Sequence, residues 1–405
     1  MTMRYVLKSL ATVAAACALG ACARAGSEDI NAIEDEALAV WVSNHAPEAR
    51  PLGDTGMYYE VIEEASAEGG TKVDVRGKWV DVEYVVRDLD GDIVYNRNGE
   101  TARRLGTFLK YTHYVPERLY IASKQNLSNI PAGIYRSITE IAPGAMWRVY
   151  IPSRLAFSAY GISTSSGYGG QRALESDVPV ILDSLRIVNI VDNPQQEGRQ
   201  AVVALATAPQ PGGWGRPMND TVREGLYMEV LARPNPGDTV PLNQRANIYY
   251  RTRFLDGHLI DSNVDSVLYN RFGSVRSSDN INPIQVTRMS STPTNGNQMP
   301  AKVFYAVLPD LCYGDSVRMA VPSEYGYYRQ YMYPDKSNSM WSLSATFSFD
   351  FTFQYKDYTV EDTDYFFASS TYYMPYSTSS SSIPVAEIKP YTPLVYEFVV
   401  QKPES

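Results

Sequence analysis

The chain has 405 residues and a formal net charge of −9, with 36 Lys and Arg against 45 Asp and Glu. That balance offers no basic footprint, so nucleic acid is excluded as a partner. The length has room for two domains of ordinary size, and the 44% of hydrophobic residues is enough to fill their cores.

Arg4 and Lys8 form a short basic region, and residues 10–21 are apolar and small. This stretch is too short to span a bilayer as a helix and reads as a signal peptide over residues 1–21. Leu19-Gly20-Ala21-Cys22 resembles a bacterial lipoprotein cleavage box, in which the Cys is acylated and becomes the first mature residue. That resemblance implies lipidation at Cys22 and an envelope lipoprotein of the outer membrane, held to the membrane through lipid alone. Ser27-Glu28-Asp29 resembles the acidic surface-export tags of some Bacteroidetes lipoproteins, although a solvated linker has the same composition. With Cys17 removed and Cys22 lipidated, Cys312 stands alone, so no disulfide framework or Cys-based metal site is possible. Cys312 reads as a small buried residue rather than a catalytic thiol.

Residues 28–45 place Ile30, Ile33, Ala37, Leu38 and Trp41 at helical spacing with acids opposite, which predicts an amphipathic helix packed on the domain that follows. It closes a tether over 22–50. Beyond it the chain repeats itself. Gly56-Met57-Tyr58-Tyr59-Glu60-Val61 returns as Gly225-Leu226-Tyr227-Met228-Glu229-Val230. Asp90-Gly91-Asp92-Ile93-Val94-Tyr95 returns as Asp256-Gly257-His258-Leu259-Ile260-Asp261. Val149-Tyr150-Ile151-Pro152-Ser153 returns as Met319-Ala320-Val321-Pro322-Ser323. Three blocks in one order mean a duplicated domain: the first copy over 51–194, the second over 223–405. The breaker cluster Pro209-Gln210-Pro211-Gly212-Gly213 marks a linker at 195–222.

Asp-Gly between alternating apolar residues predicts a hairpin in each copy. Asp88, Asp90 and Asp92 suggest a calcium loop, but the downstream Glu that such a loop needs is missing. Gly167-Tyr168-Gly169-Gly170 lacks the strand–turn–helix context of a phosphate loop. His45, His113 and His258 are scattered, so neither a metal cluster nor a His-based triad is expected. The second copy carries a Tyr-rich insert at 329–382. Phe347, Phe349, Phe351, Phe353 and Tyr355 alternate with polar residues as a half-buried strand. The tyrosines that follow are open to packing or to binding, surface glycan contact included.

The blocks resemble the FKBP-type peptidyl-prolyl isomerases. Tyr250, Asp256-Gly257, Ile260-Asp261-Ser262, Pro283-Ile284, Phe304, Val321-Pro322-Ser323 with Tyr325 and Tyr327, Ile383-Pro384 and Thr392-Pro393-Leu394-Val395-Tyr396 fall in the family's order across nearly all of 225–402. The first copy follows it more loosely. The resemblance implies an α+β fold of two domains, each a bent antiparallel sheet wrapped on a short helix. It implies a peptidyl-prolyl cis-trans isomerase or folding chaperone acting on proline-containing segments of extracytoplasmic proteins, with no cofactor and no metal. Catalytic positions would be Tyr250, Asp261, Phe304, Tyr327 and Tyr396, with Ile260 and Ile284 completing the substrate pocket.

The chemistry needs these residue types. An X–Pro bond turns slowly because amide resonance must be lost, a barrier of about 18–20 kcal/mol. An apolar ring pocket strips water from the amide, and one or two polar groups hold the twisted carbonyl. The second copy departs from the family at Ile260, Phe304 and Tyr328, and catalysis and non-catalytic binding both stay open for it. In the first copy Tyr84 remains, but Val94-Tyr95 replaces the Phe-Asp pair and Ile134 takes the floor position. A fold kept without its site is the preferred reading there.

Overall fold

The structure is a computed structural model. It describes residues 30–65, 71–96, 98–106, 108, 113–124, 130–156, 178–207, 220–221, 225–267, 282–290, 302–326, 388 and 391–403. Residues 1–21, which the sequence reading takes as a signal peptide, together with Cys22, residues 167–170, Tyr327 and the stretch 329–382, lie outside the described residues.

The fold is α+β, and it is built twice. Strands β1 (Arg50–Pro51), β2 (Tyr58–Glu63), β3 (Lys78–Arg87), β4 (Ile93–Asn96), β5 (Glu117–Ile121), β6 (Met146–Ile151) and β7 (Val180–Val191) make the first sheet. Strands β8 (Asp220–Thr221), β9 (Tyr227–Ala232), β10 (Arg245–Phe254), β11 (Leu259–Ser262), β12 (Ile284–Thr287), β13 (Ser316–Val321) and β14 (Leu394–Gln401) make the second. The first runs β1-β2-β6-β7-β3-β4 with β5 also on β3; the second runs β8-β9-β13-β14-β10-β11 with β12 on β10. All of these pairings are antiparallel, and the two orders are the same. Both Asp-Gly turns close hairpins as the sequence predicts, with Gly91 and Gly257 at φ of +88°, a conformation that glycine adopts at little cost. The aspartate loop is the β3–β4 turn, tied by the Asp92 amide to Asp88 Oδ1 at 2.9 Å.

Each sheet wraps one short helix, because apolar residues on one helix stripe and on alternate strand positions must be buried together. Helix α1 is Ile30–His45, α2 is Gly99–Arg104 and α3 is Ala132–Glu140. Ile134 and Ile138 of α3 enter the first core with Val80, Val82, Ile121 and Leu182. Helix α4 is Pro194–Thr207, and α5, Lys302–Val307, is the counterpart of α3. Val303, Phe304 and Val307 of α5 fill the second core with Ile248, Tyr250, Tyr396 and Phe398. Cys312 is buried, as expected.

Helix α1 packs on the first domain through Leu38 and Val42, against Tyr150 and Ile181. Ile33 is 48% exposed, so the buried stripe is displaced toward the C-terminal half from the one that the spacing suggests. Residues 195–222 begin in helix α4, which packs Val202 and Ala206 on Ala320 of the second sheet. Ala320 holds the place of Tyr150 in the repeat, so each domain is preceded by a helix docked at the same position.

Among the described residues, the first domain meets α4 and the second domain in the following contacts. Glu197 of α4 pairs with Arg118 of β5 at 2.6 Å. Tyr391, just ahead of β14, is packed within the first domain's core and meets Trp79 edge-on at 5.7 Å. His113 stacks on Phe254 at 4.1 Å and on His258 at 4.7 Å, with its Nε2 2.7 Å from Asp256 Oδ2. The histidines that look scattered in sequence are therefore partly gathered, although no group of three residues able to hold a metal occurs among the described residues.

This last contact has a defined pH dependence. Burial, the largest single influence, pushes the Asp256 carboxyl up; bonds from His113 and the His258 amide outweigh it, and the net direction is down. A depressed carboxylate contributes stability that is present above its unfolded pKa and is lost as pH falls through the folded one. Acidification below about pH 4 is expected to loosen the contact. Asp256→Asn should remove that part of the acid dependence, read as the urea midpoint of the full chain across the acidic range.

Candidate functional site

Two loci correspond to the repeated pocket. In the second domain, Tyr250 comes from the middle of β10, Tyr396 from β14 and Phe304 from α5. The Phe304 ring lies 6.5 Å from Tyr250 and meets Tyr396 edge-on at 5.7 Å and Phe398 edge-on at 5.1 Å. These are favourable T-shaped contacts. Ile260, on β11, joins the same cluster, and Ile284, on β12, packs against it partly buried. Asp261 stands on β11 opposite Thr252 of β10; its side chain and Tyr327 lie outside the described groups.

The three described rings, Tyr250, Phe304 and Tyr396, therefore converge, but their cluster is closed. Tyr250 is 3% exposed, and Phe304 and Tyr396 are each 1% exposed. The rings pack against one another as core. The polar groups around Tyr250 are also committed: Asn263 Oδ1 accepts from its amide at 2.6 Å, and Ser262 Oγ donates to its carbonyl at 2.7 Å. On the opposite face of the sheet, Arg318 and Glu229 form a buried ion pair at 2.7 Å that joins β13 to β9.

The first domain departs from what its sequence suggests. Its acidic group is not absent; it has changed strands. Tyr95 of β4 pairs in register with Val86, and Glu117 of β5 pairs with Val82. In the second copy the equivalent positions are Asp261, opposite Thr252, and Ile284, opposite Ile248. Acid and non-acid have exchanged places between the two edge strands. Glu117 is 2% exposed. Its Oε2 accepts from the Tyr84 hydroxyl at 2.6 Å and from the Tyr95 hydroxyl at 3.3 Å.

These residues line a cavity of about 270 Å³, where β4 and β5 part along one edge of β3. Asn98, Thr101 and Arg104 of the α2 segment form another wall. The pairing of β3 with β7 shifts register between Glu83 and Val85, and Ser184 takes a φ of +56° there. Such a bulge bends the strand and re-aims side chains. By contrast, β10 and β14 pair without a shift from Asn247 to Phe254. Sequence reading misses Glu117, yet it leaves a signal: Glu117, Leu119 and Ile121 share one face of β5, and all three are buried. An acid on the buried face of a strand needs a partner inside.

A scan of protein-family profiles finds no match, and no curated protein sequence matches. Solved structures do resemble the chain. The three FKBP domains of wheat FKBP73 align over 87% of this chain and 98% of that one, at 10% identity and a TM-score of 0.25. A peptidyl-prolyl cis-trans isomerase from Pseudomonas syringae aligns over 41% and 99%, at 18% identity and a TM-score of 0.28. FkpA from Escherichia coli aligns over 47% and 74%, at 16% identity and a TM-score of 0.27. Scores this low carry no functional argument of their own.

Proposed function

We propose that the chain is a chaperone-type relative of the peptidyl-prolyl isomerases, which holds proline-containing segments of extracytoplasmic proteins at the cell envelope. The observation that favours holding over turnover is the closed ring cluster of the second domain. Tyr250, Phe304 and Tyr396 meet as an isomerase pocket would need, yet none exposes more than 3% of its surface. A proline amide has to enter such a cluster before desolvation can lower its barrier. Isomerisation in the second domain is the second reading, and the convergence of the rings beside the Asp261 strand is what favours it.

The full chain decides between them in two assays. Suppression of aggregation of an unfolded client at near-stoichiometric ratios is expected, with X–Pro isomerisation of a short peptide at the uncatalysed rate. Accelerated isomerisation that is lost in Asp261→Asn would turn the assignment to catalysis.

The envelope location rests on the residues around Cys22. No helix among the described residues is long and apolar enough to cross a membrane. A single acyl chain binds only marginally, so stable anchoring takes more than one signal. Cys22→Ser is expected to move the protein from the membrane fraction to the soluble one and to abolish lipid labelling. Retention in the membrane fraction would place the anchor elsewhere.

A further inference from the structure

We infer that the first domain carries a binding site for a cationic side chain, Lys or Arg, with Glu117 as its anionic floor; this extends the holding role proposed above. The cavity volume of about 270 Å³ lies just under the roughly 300 Å³ where small-molecule pockets begin. It has room for one long side chain of a bound polypeptide, not for a folded partner.

The lining selects charge. Glu117 is buried and accepts two phenolic hydrogen bonds, so the floor is an acceptor held in place by Tyr84 and Tyr95. Those two rings lie 5.6 Å apart and tilted by 44°. A carboxylate flanked by phenol rings suits an ammonium or guanidinium group, through charge-assisted hydrogen bonding and ring–cation attraction. Glu83 and Glu100 also line the cavity. Of the two lining arginines, Arg186 is engaged with Glu63 at 2.6 Å, which leaves Arg104 as the lining cation without an ion pair among the described residues. An anionic ligand would meet three carboxyl groups against Arg104 and the single Nε–H of Arg186 that Glu63 leaves unpaired.

Titration calorimetry of the full chain tests this with alanine-based hexapeptides carrying one Lys, one norleucine or one Glu. The Lys peptide is expected to bind at least about tenfold more tightly than the norleucine peptide, as the loss of a charge-assisted bond implies. Glu117→Gln should lower Lys-peptide affinity by a similar factor. Arg104→Glu, at an exposed rim position that cannot unfold the core, should raise it by about threefold. Equal binding of Lys and norleucine peptides, no binding of the Lys peptide, or unchanged or lowered affinity in Arg104→Glu overturns the inference. Aggregation suppression keeps the two readings apart. If the wild type protects the client but the peptides bind alike, this site falls and the holding role stands. If the Lys peptide binds through Glu117 but the client is not protected, the reverse holds.

Discussion

Phe304→Ala is expected to cost the second domain about 3–5 kcal/mol, the range for truncating a buried aromatic ring. Phe304 is 1% exposed and is the aromatic side chain that α5 sets against β10 and β14, beside Val303 and Val307. Its ring touches Tyr396 and Phe398 edge-on, and those contacts are lost together with its buried area. The cavity left behind would be walled by strands that pair without interruption, so little collapse can refill it. Chemical denaturation followed by tyrosine and tryptophan fluorescence checks this as a lower midpoint with unchanged slope. A loss under about 1 kcal/mol would mean that the ring sits in a pocket able to open, and would revive the catalytic reading.

Tyr391→Ala is expected to cost about 3 kcal/mol or more and to separate the unfolding of the two domains. Tyr391 belongs by sequence to the second domain and by packing to the first, where it is 2% exposed. It holds a φ of +59°, a left-handed conformation that a bulky residue rarely adopts unless its surroundings require it. With the ring in place, calorimetry of the full chain is expected to give one cooperative transition. With alanine, two transitions should appear, because α4 and the His113 contact remain as smaller links. Tyr391→Phe keeps the ring and should keep the coupling. A single transition in Tyr391→Ala would show that those smaller links suffice.

Much of the fold was legible in the residues. Duplicated blocks indicated two copies, and Asp-Gly between alternating apolar residues indicated the hairpins, because these are local signals. The meeting of Tyr250, Phe304 and Tyr396 in the second domain was implied by the family resemblance that these residues carry. Their closure did not follow, since exposure depends on everything packed over the rings. Glu117 was missed for a related reason. Its role depends on the register that sets β5 beside Val82 of β3, thirty-five residues earlier in the chain, and on a bulge that no short motif announces. The helix at Pro194–Thr207 was hidden by the Pro/Gly cluster that follows it, which drew the whole stretch into a linker.

The helices ahead of the two domains bear on how a duplicated chain avoids misassembly. Leu38 and Val42 on α1 have their counterparts in Val202 and Ala206 on α4, four residues apart in both. Three residues before the first of each pair stands a charge. On α1 it is Asp35, bonded to Arg154 at 2.6 Å; on α4 it is Arg199, bonded to Glu324. Arg154 and Glu324 each follow the serine of the repeated Pro-Ser corner. The lock is thus the same in both copies, with its polarity reversed. If α1 strayed onto the second domain it would press Asp35 against Glu324, and α4 on the first would press Arg199 against Arg154. Exchange of equivalent parts is a characteristic failure of tandem repeats, and here each helix is repelled by the wrong berth before its apolar stripe can settle.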